Sequence, residues 1–138
     1  MWEIEAAKAA DMPEIEDLIA AVGGDLVDLA TDQFVVAKSE DARILGCGRL
    51  RSYPEFCEIV SMAVADDFRT KGIGRAIVER LLEMYEGAIY LICGDDVVEF
   101  FRRFEFSLLP ASDMPDGLRS KWDYFCSPAG SINLMRRV

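Results

Sequence analysis

The chain opens on an alternation, Trp2, Ile4 and Ala6 against Glu3 and Glu5, which predicts a short strand with one buried face. The period then lengthens. Asp11, Pro13 and Glu14 form a helix start signal, and Ile15, Leu18, Ile19 and Val22 recur along one helical face until Gly23-Gly24 ends it. Residues 25–31 are read as a second short helical segment. From residue 33 the pattern is that of strands: 34–37, 44–53 and 56–64, separated by the polar turns 39–41 and Pro54-Glu55. Three strands on tight turns imply an antiparallel meander. Gly46 and Gly48 inside the middle strand predict a bulge or a close backbone approach.

Beyond residue 72 a helical face returns with Ile73, Ala76, Ile77, Leu81 and Met84, and residues 88–93 are an apolar run of strand length. A second helix is expected over 95–104, extended chain over 106–109 and a closing strand over 132–138. The last thirty residues read as less regular, punctuated by Pro110, Pro115 and Pro128. The pattern is α+β, a mostly antiparallel sheet with helices inserted before and after its central strands.

Composition narrows the field. The 138 residues are 51% hydrophobic and 29% charged, the profile of one folded domain over 1–138. No repeat, linker or low-complexity tract divides it. With 15 Lys and Arg against 25 Asp and Glu the formal charge is −10, which disfavours a general nucleic-acid binder. There is no histidine, so Ser-His-Asp and Cys-His catalysis and His-containing zinc sites are excluded. Cys47, Cys57, Cys93 and Cys126 form no CxxC pair, so no metal site is expected and a reducing, cytoplasmic setting is. No stretch has the length of a membrane span, and the acidic, proline-broken start does not read as a signal peptide.

One segment reverses the charge. Arg69, Lys71, Arg75 and Arg80 face only Glu79 within residues 69–80, at a strand–glycine-loop–helix junction. The first amides of a helix lack internal partners and the macrodipole favours an anion there, while Gly72 and Gly74 expose the main chain. The loop is neither GxxxxGK[ST] nor GxGxxG.

Arg69-x-x-Gly72-x-Gly74 resembles the [RQ]xxGx[GA] acyl-CoA pyrophosphate loop of the GNAT N-acetyltransferases. The likeness extends along nearly the whole chain: residues 58–64 resemble the strand before that loop, the start resembles the family's N-terminal element, and residues 100–106 resemble its FYxxxGF segment. The resemblance implies the GNAT fold, with the mixed sheet split into a V between strands 4 and 5. It implies acetyl-CoA as co-substrate, its pantetheine arm along Met62, Ala63 and Val64. The pyrophosphate would lie on residues 69–75, namely Arg69, Thr70, Lys71, Gly72, Ile73, Gly74 and Arg75.

Acetyl transfer to an amine needs a neutral amine, a polarised thioester carbonyl and a protonated leaving thiolate. Glu58 stands where some family members carry a catalytic glutamate, and its competing role is an exposed strand residue. A backbone N–H near Val64 would polarise the carbonyl. Where the family often has a tyrosine acid this chain has Phe101, expected to pack against the cofactor arm, and Glu105 stands where glycine is usual. Tyr124, Tyr90 or Cys93, solvent protonation, or loss of turnover are the open alternatives. The Phe-Phe form of the late helix and the tail around 118–128 resemble short single-domain acetyltransferases related to N-acetylglutamate synthases. There Arg49, Arg51, Arg119 or Lys121 would anchor an acceptor carboxylate, unless they are ordinary surface cations. The acidic surface instead suits a polyamine or a lysine-rich protein. The expected function is N-acetylation of a small amine or amino acid in a ternary complex. The competing class is an acyl-CoA-responsive or partner-binding module without turnover, and a homodimer is one open arrangement.

Overall fold

A computed structural model describes residues 1–69, 71–125 and 132–138. Its strands are β1 (Trp2–Ala6), β2 (Phe34–Ser39), β3 (Ile44–Ser52), β4 (Cys57–Val64), β5 (Ile89–Gly94), β6 (Ser107–Leu109) and β7 (Ile132–Arg137). Its helices are α1 (Met12–Ala21), α2 (Ile73–Glu83), α3 (Val98–Arg102) and α4 (Asp116–Phe125). The strands are hydrogen-bonded in the order β1-β2-β3-β4-β5-β7-β6. The pairs β1–β2, β2–β3, β5–β7 and β6–β7 run antiparallel. β4 and β5, between which the sheet is expected to part, run parallel and share the two pairs Cys57↔Ile89 and Glu58↔Tyr90. This mixed sheet with flanking helices is the α+β architecture anticipated. The chain packs as two compact units, residues 1–51 with 59–86, and residues 52–58 with 87–138.

In the first unit, Ile15 and Ile19 of α1 close a core with Phe34, Val36, Ile44, Cys47 and Ala63. Gly23 ends α1 at φ 69°, and the Gly23 and Gly24 amides donate to the carbonyls of Ala20 and Ile19 at 3.1 and 3.0 Å. Ile73, Ile77, Val78 and Leu81 form the buried face of α2, whereas Met84, placed on that face by periodicity, caps the helix and is exposed. Both readings of the β3 glycines hold. The register between β2 and β3 shifts at Ala37/Lys38, leaving Leu45 as the extra residue beside Gly46. A Cβ on Gly46 would lie 2.9 Å from Ile73 Cγ2, and one on Gly48 would lie 2.5 Å from Ile77 Cγ2.

Of the segment 25–31, residues 25–30 are not helical, and a single 3-10 turn spans Thr31–Gln33. The backbone carbonyls a helix would use are taken by side chains. Arg49 donates to the carbonyls of Val27 (2.9 Å) and Asp28, and Arg51 to that of Val27 (3.0 Å). The Val27 amide donates to Asp25 Oδ1 at 2.8 Å, an Asx-type turn.

In the second unit Phe56, Met114, Leu118 and Leu134 form the core, with Tyr53, Tyr90 and Trp122 against it. The helix expected over 95–104 is a 3-10 turn, Asp95–Val97, followed by the short α3. It ends on Glu105 at φ 70°, the left-handed position where glycine carries no Cβ penalty. Helix α4 corrects the expectation of an irregular tail. Pro115 stands just before its first residue, where a missing N–H costs nothing, and Leu118 and Trp122, four apart, give it an apolar face.

Gly48→Ala should destabilise the chain by about 1–3 kcal/mol through overpacking against Ile77, Met62 and Leu81. Denaturant unfolding measures this, and an unchanged midpoint would show that α2 recedes without cost.

Candidate active site

The basic loop leads into α2 through one 3-10 turn, Asp66–Phe68, and Gly72, which is left-handed at φ 83°. The first helical bond runs from the Ala76 amide to the Gly72 carbonyl at 3.1 Å, so the amides of residues 73–75 precede any intrahelical acceptor. Nothing lies within 4 Å of the position a Gly72 Cβ would take, so the cradle is open. Lys71 and Gly72 are exposed. Arg69 reaches Asp66, just before the basic segment, at 3.4 Å, and Arg75 reaches Glu79 within it at 3.2 Å. Exposed pairs of this kind are worth about 0–1 kcal/mol, and a phosphate can displace them. Thr70 lies outside the described residues.

Strand β4 reaches the loop with a kink that sequence gave no sign of. Ser61 is buried in mid-strand at φ 56°, a left-handed conformation costing about 1–2 kcal/mol for a residue with a Cβ. Its hydroxyl donates to the Asp25 carbonyl at 2.7 Å, and its carbonyl accepts from the Cys47 thiol at 3.6 Å. The kink turns the following backbone, where Met62 and Val64 are half-buried and Ala63 is buried. The loop, this strand end and α2 all belong to the first unit.

In the second unit Glu58 overturns its reading as an exposed strand residue: it is 0% exposed. The Tyr53 hydroxyl donates to its Oε1 at 2.9 Å and the Lys121 ammonium donates to its Oε2. Tyr53 is brought there by the Pro54-Glu55 turn, and its ring stacks on Phe56 with centroids 4.4 Å apart. Neither Tyr53 nor its pairing carried a sequence signal beyond lying five residues from Glu58 across a turn.

The other expected residues separate. Phe101 is buried and edge-on to Phe100 and Phe106, a packing residue of the second unit. Tyr90 packs edge-on to Phe56. The side chain of Tyr124 and all of Cys126 lie outside the described part. Of the acceptor cations, Arg49 is 1% exposed and holds Gln33 Oε1 at 2.7 Å besides the two carbonyls, and Arg51 pairs with Asp25 at 3.1 Å. Lys121 is on Glu58, and Arg119 is exposed on α4.

Burial pushes the Cys47 thiol up to about 12 and, with Asp96 and Asp95 nearby, the Cys93 thiol up to about 11. Burial also raises Cys57, partly offset by the Ser52 hydroxyl. These three thiols stay protonated at neutral pH and make poor nucleophiles. Among the described residues no helix is long and apolar enough to cross a membrane.

Residues 3–106 match the acetyltransferase (GNAT) family. An amino-acid acetyltransferase of Mycobacterium tuberculosis is 34% identical over 92 residues, 59% of this chain and 53% of the relative. The chain therefore spans about half the length of that curated relative. A Mycobacterium tuberculosis protein crystallised with CoA superposes at TM-score 0.80 and 23% identity, over 99% of this chain and 98% of its own. N-acetylglutamate synthase of Neisseria gonorrhoeae, crystallised with coenzyme A and N-acetyl-glutamate, superposes at TM-score 0.82 and 16% identity, over 99% of this chain and 35% of its own.

Alkylation should report the thiols. At pH 7.5, Cys47 and Cys93 should label slowly with iodoacetamide, and Cys93 should speed up about tenfold per pH unit until about pH 11. Peptide mapping after timed labelling checks this. A fast, pH-independent Cys93 would restore a thiol to the chemistry.

Proposed function

The chain belongs to the acetyltransferase (GNAT) family, and on that premise we propose that it is an acetyl-CoA-dependent N-acetyltransferase acting on the amine of a small molecule or amino acid. Transfer is direct, within a ternary complex, in one domain. The observation that carries this reading is Glu58, a fully buried carboxylate held between two proton-bearing groups, at a position that resembles the catalytic glutamate of some family members. Desolvating a carboxylate costs several kcal/mol, a cost that a merely solvent-facing strand position would not incur.

In this reading the amides at the start of α2, with Arg69, Lys71 and Arg75, receive the pyrophosphate of acetyl-CoA. The open cradle at Gly72 fits that group. The turned backbone of Met62, Ala63 and Val64 pairs with the pantetheine arm, and an N–H near Val64 polarises the carbonyl. Phe101 supplies apolar packing. Glu58 takes the proton from the acceptor ammonium through water, which frees the nitrogen lone pair for attack. High thiol values at Cys47 and Cys93 support direct transfer over an acetyl-cysteine route. Because Phe101 has no proton to give, the leaving thiolate needs another donor. Tyr53, already on Glu58, joins Tyr124 and solvent as that donor.

The name of the 34% identical relative supports an amino acid as acceptor. Arg119, exposed on α4, is the cation for its carboxylate, since Arg49 and Arg51 are bound to the 25–33 segment. A second reading, an acyl-CoA-binding module with little turnover, draws on Phe101 and on the ammonium already seated on Glu58. Thiol release across an amine and amino-acid panel, beside calorimetry with acetyl-CoA, separates the two. Binding without release on any acceptor favours the module, and no binding defeats both.

Glu58→Gln should lower kcat by about 100-fold or more near neutral pH and by less at high pH, where free amine is abundant. A pH–rate profile that drops equally at every pH would remove Glu58 as the base. Gly72→Val should weaken CoA binding about tenfold, because a β-branched residue resists φ 83° and its methyls fill the open cradle. Calorimetry reads that change, and unimpaired affinity would move the pyrophosphate elsewhere.

A further inference from the structure

We propose that Lys121 is an acetylation site of the chain itself, with its own Glu58 as the base. The inference rests on the acetyltransferase reading above and extends it to a substrate carried within the fold. An attacking amine must sit within hydrogen-bond reach of a base that can take its proton. The Lys121 nitrogen already does: it donates to Glu58 Oε2, while its side chain is only 16% exposed.

The other lysines are placed differently. The chain has four, and Lys8 and Lys71 are exposed. Lys38 pairs with Glu5 and Asp11, each at 3.1 Å, and neither is the carboxylate assigned above as the base. Chemical acetylation without a catalyst follows exposure and would favour Lys8, which is exposed and outside the proposed cofactor loop. Catalysed acetylation follows placement and favours Lys121.

The step balances without an oxidant. The Lys121 ammonium gives one proton to Glu58, and the freed lone pair forms the N–C bond to the thioester carbonyl carbon of acetyl-CoA. The C–S bond breaks with its electron pair on the CoA sulfur. Of the two protons shed by the nitrogen, one ends on that sulfur and the other passes from Glu58 to solvent. The products are a neutral acetyl-lysine, the CoA thiol and one proton. Lys121 thereby loses its charge, and Glu58 loses that cation as a partner.

The test is incubation of the full chain with acetyl-CoA and no added acceptor, followed by intact mass and peptide mapping over time. One acetyl group per chain is expected, on Lys121, at a rate at least about tenfold above Lys8. Glu58→Gln should bring Lys121 down to the rate of the exposed lysines or below. Gly72→Val should slow Lys121 and leave Lys8 unchanged, which decides the matter if Glu58→Gln folds poorly by circular dichroism. Lys121→Arg keeps the cation and should abolish the fast label. Labelling that ranks with exposure, or a Lys121 rate indifferent to Glu58→Gln and Gly72→Val, overturns the proposal. If the chain binds CoA and acetylates an added amine while Lys121 stays unmodified, self-acetylation fails and the enzyme reading stands. If CoA does not bind, both fail.

Discussion

Gly46 and Gly48 let α2 lie against β3 at a spacing that no side chain would permit, with Ile73 and Ile77 filling the space their Cβ atoms would occupy. That contact orders the first unit. Burying Ile73, Ile77 and Leu81 stabilises the packed helix by about 1.5–3 kcal/mol for each side chain. The first of these is also the first residue of α2, so the core fixes where the helix begins. The helix-start amides proposed to receive an anion are therefore positioned by apolar packing one face away, and the loop itself needs only a left-handed glycine to meet them.

The second unit is organised by the opposite problem, a charge without water. Glu58 draws Tyr53 from the turn before β4 and Lys121 from α4, so three separate segments converge on one carboxylate. Breaking a buried pair of this kind by deleting one partner typically costs about 3–5 kcal/mol, because the survivor stays buried. The proposed chemistry would draw on the same atoms as the structure there, so changes at Glu58 or Lys121 call for a structural control beside any rate.

The strands and the basic loop were legible because their signals are local: alternation, turn residues, two glycines before a helical face. What stayed hidden depends on distant partners. Residues 25–31 have helical composition, but Arg49 and Arg51, more than twenty positions away, bind their carbonyls. Prolines 110 and 115 read as breaks, although Pro115 introduces α4. The burial of Glu58 was obscured because β4 is buried on both faces from Cys57 to Ser61, so alternation gives no orientation there. Its partner Lys121 lies 63 residues further on. The strain at Ser61 had no sequence mark, because serine is not a residue that usually announces a left-handed position.

The clasp of Arg49 and Arg51 on the 25–33 segment has a chemical consequence as well as a structural one. A guanidinium stays charged at any pH a folded protein survives, whereas lysine is the cation that acetylation consumes. With eleven arginines to four lysines, the chain entrusts its buried loop fastening to groups that an activated acetyl donor leaves intact. A lysine at position 49 would carry its donors on a single nitrogen and could not span Gln33 and the Val27 and Asp28 carbonyls as the planar fork does. The loop would then hang on fewer bonds, whereas the arginine version fastens it at three points and keeps its charge throughout the protein's working life.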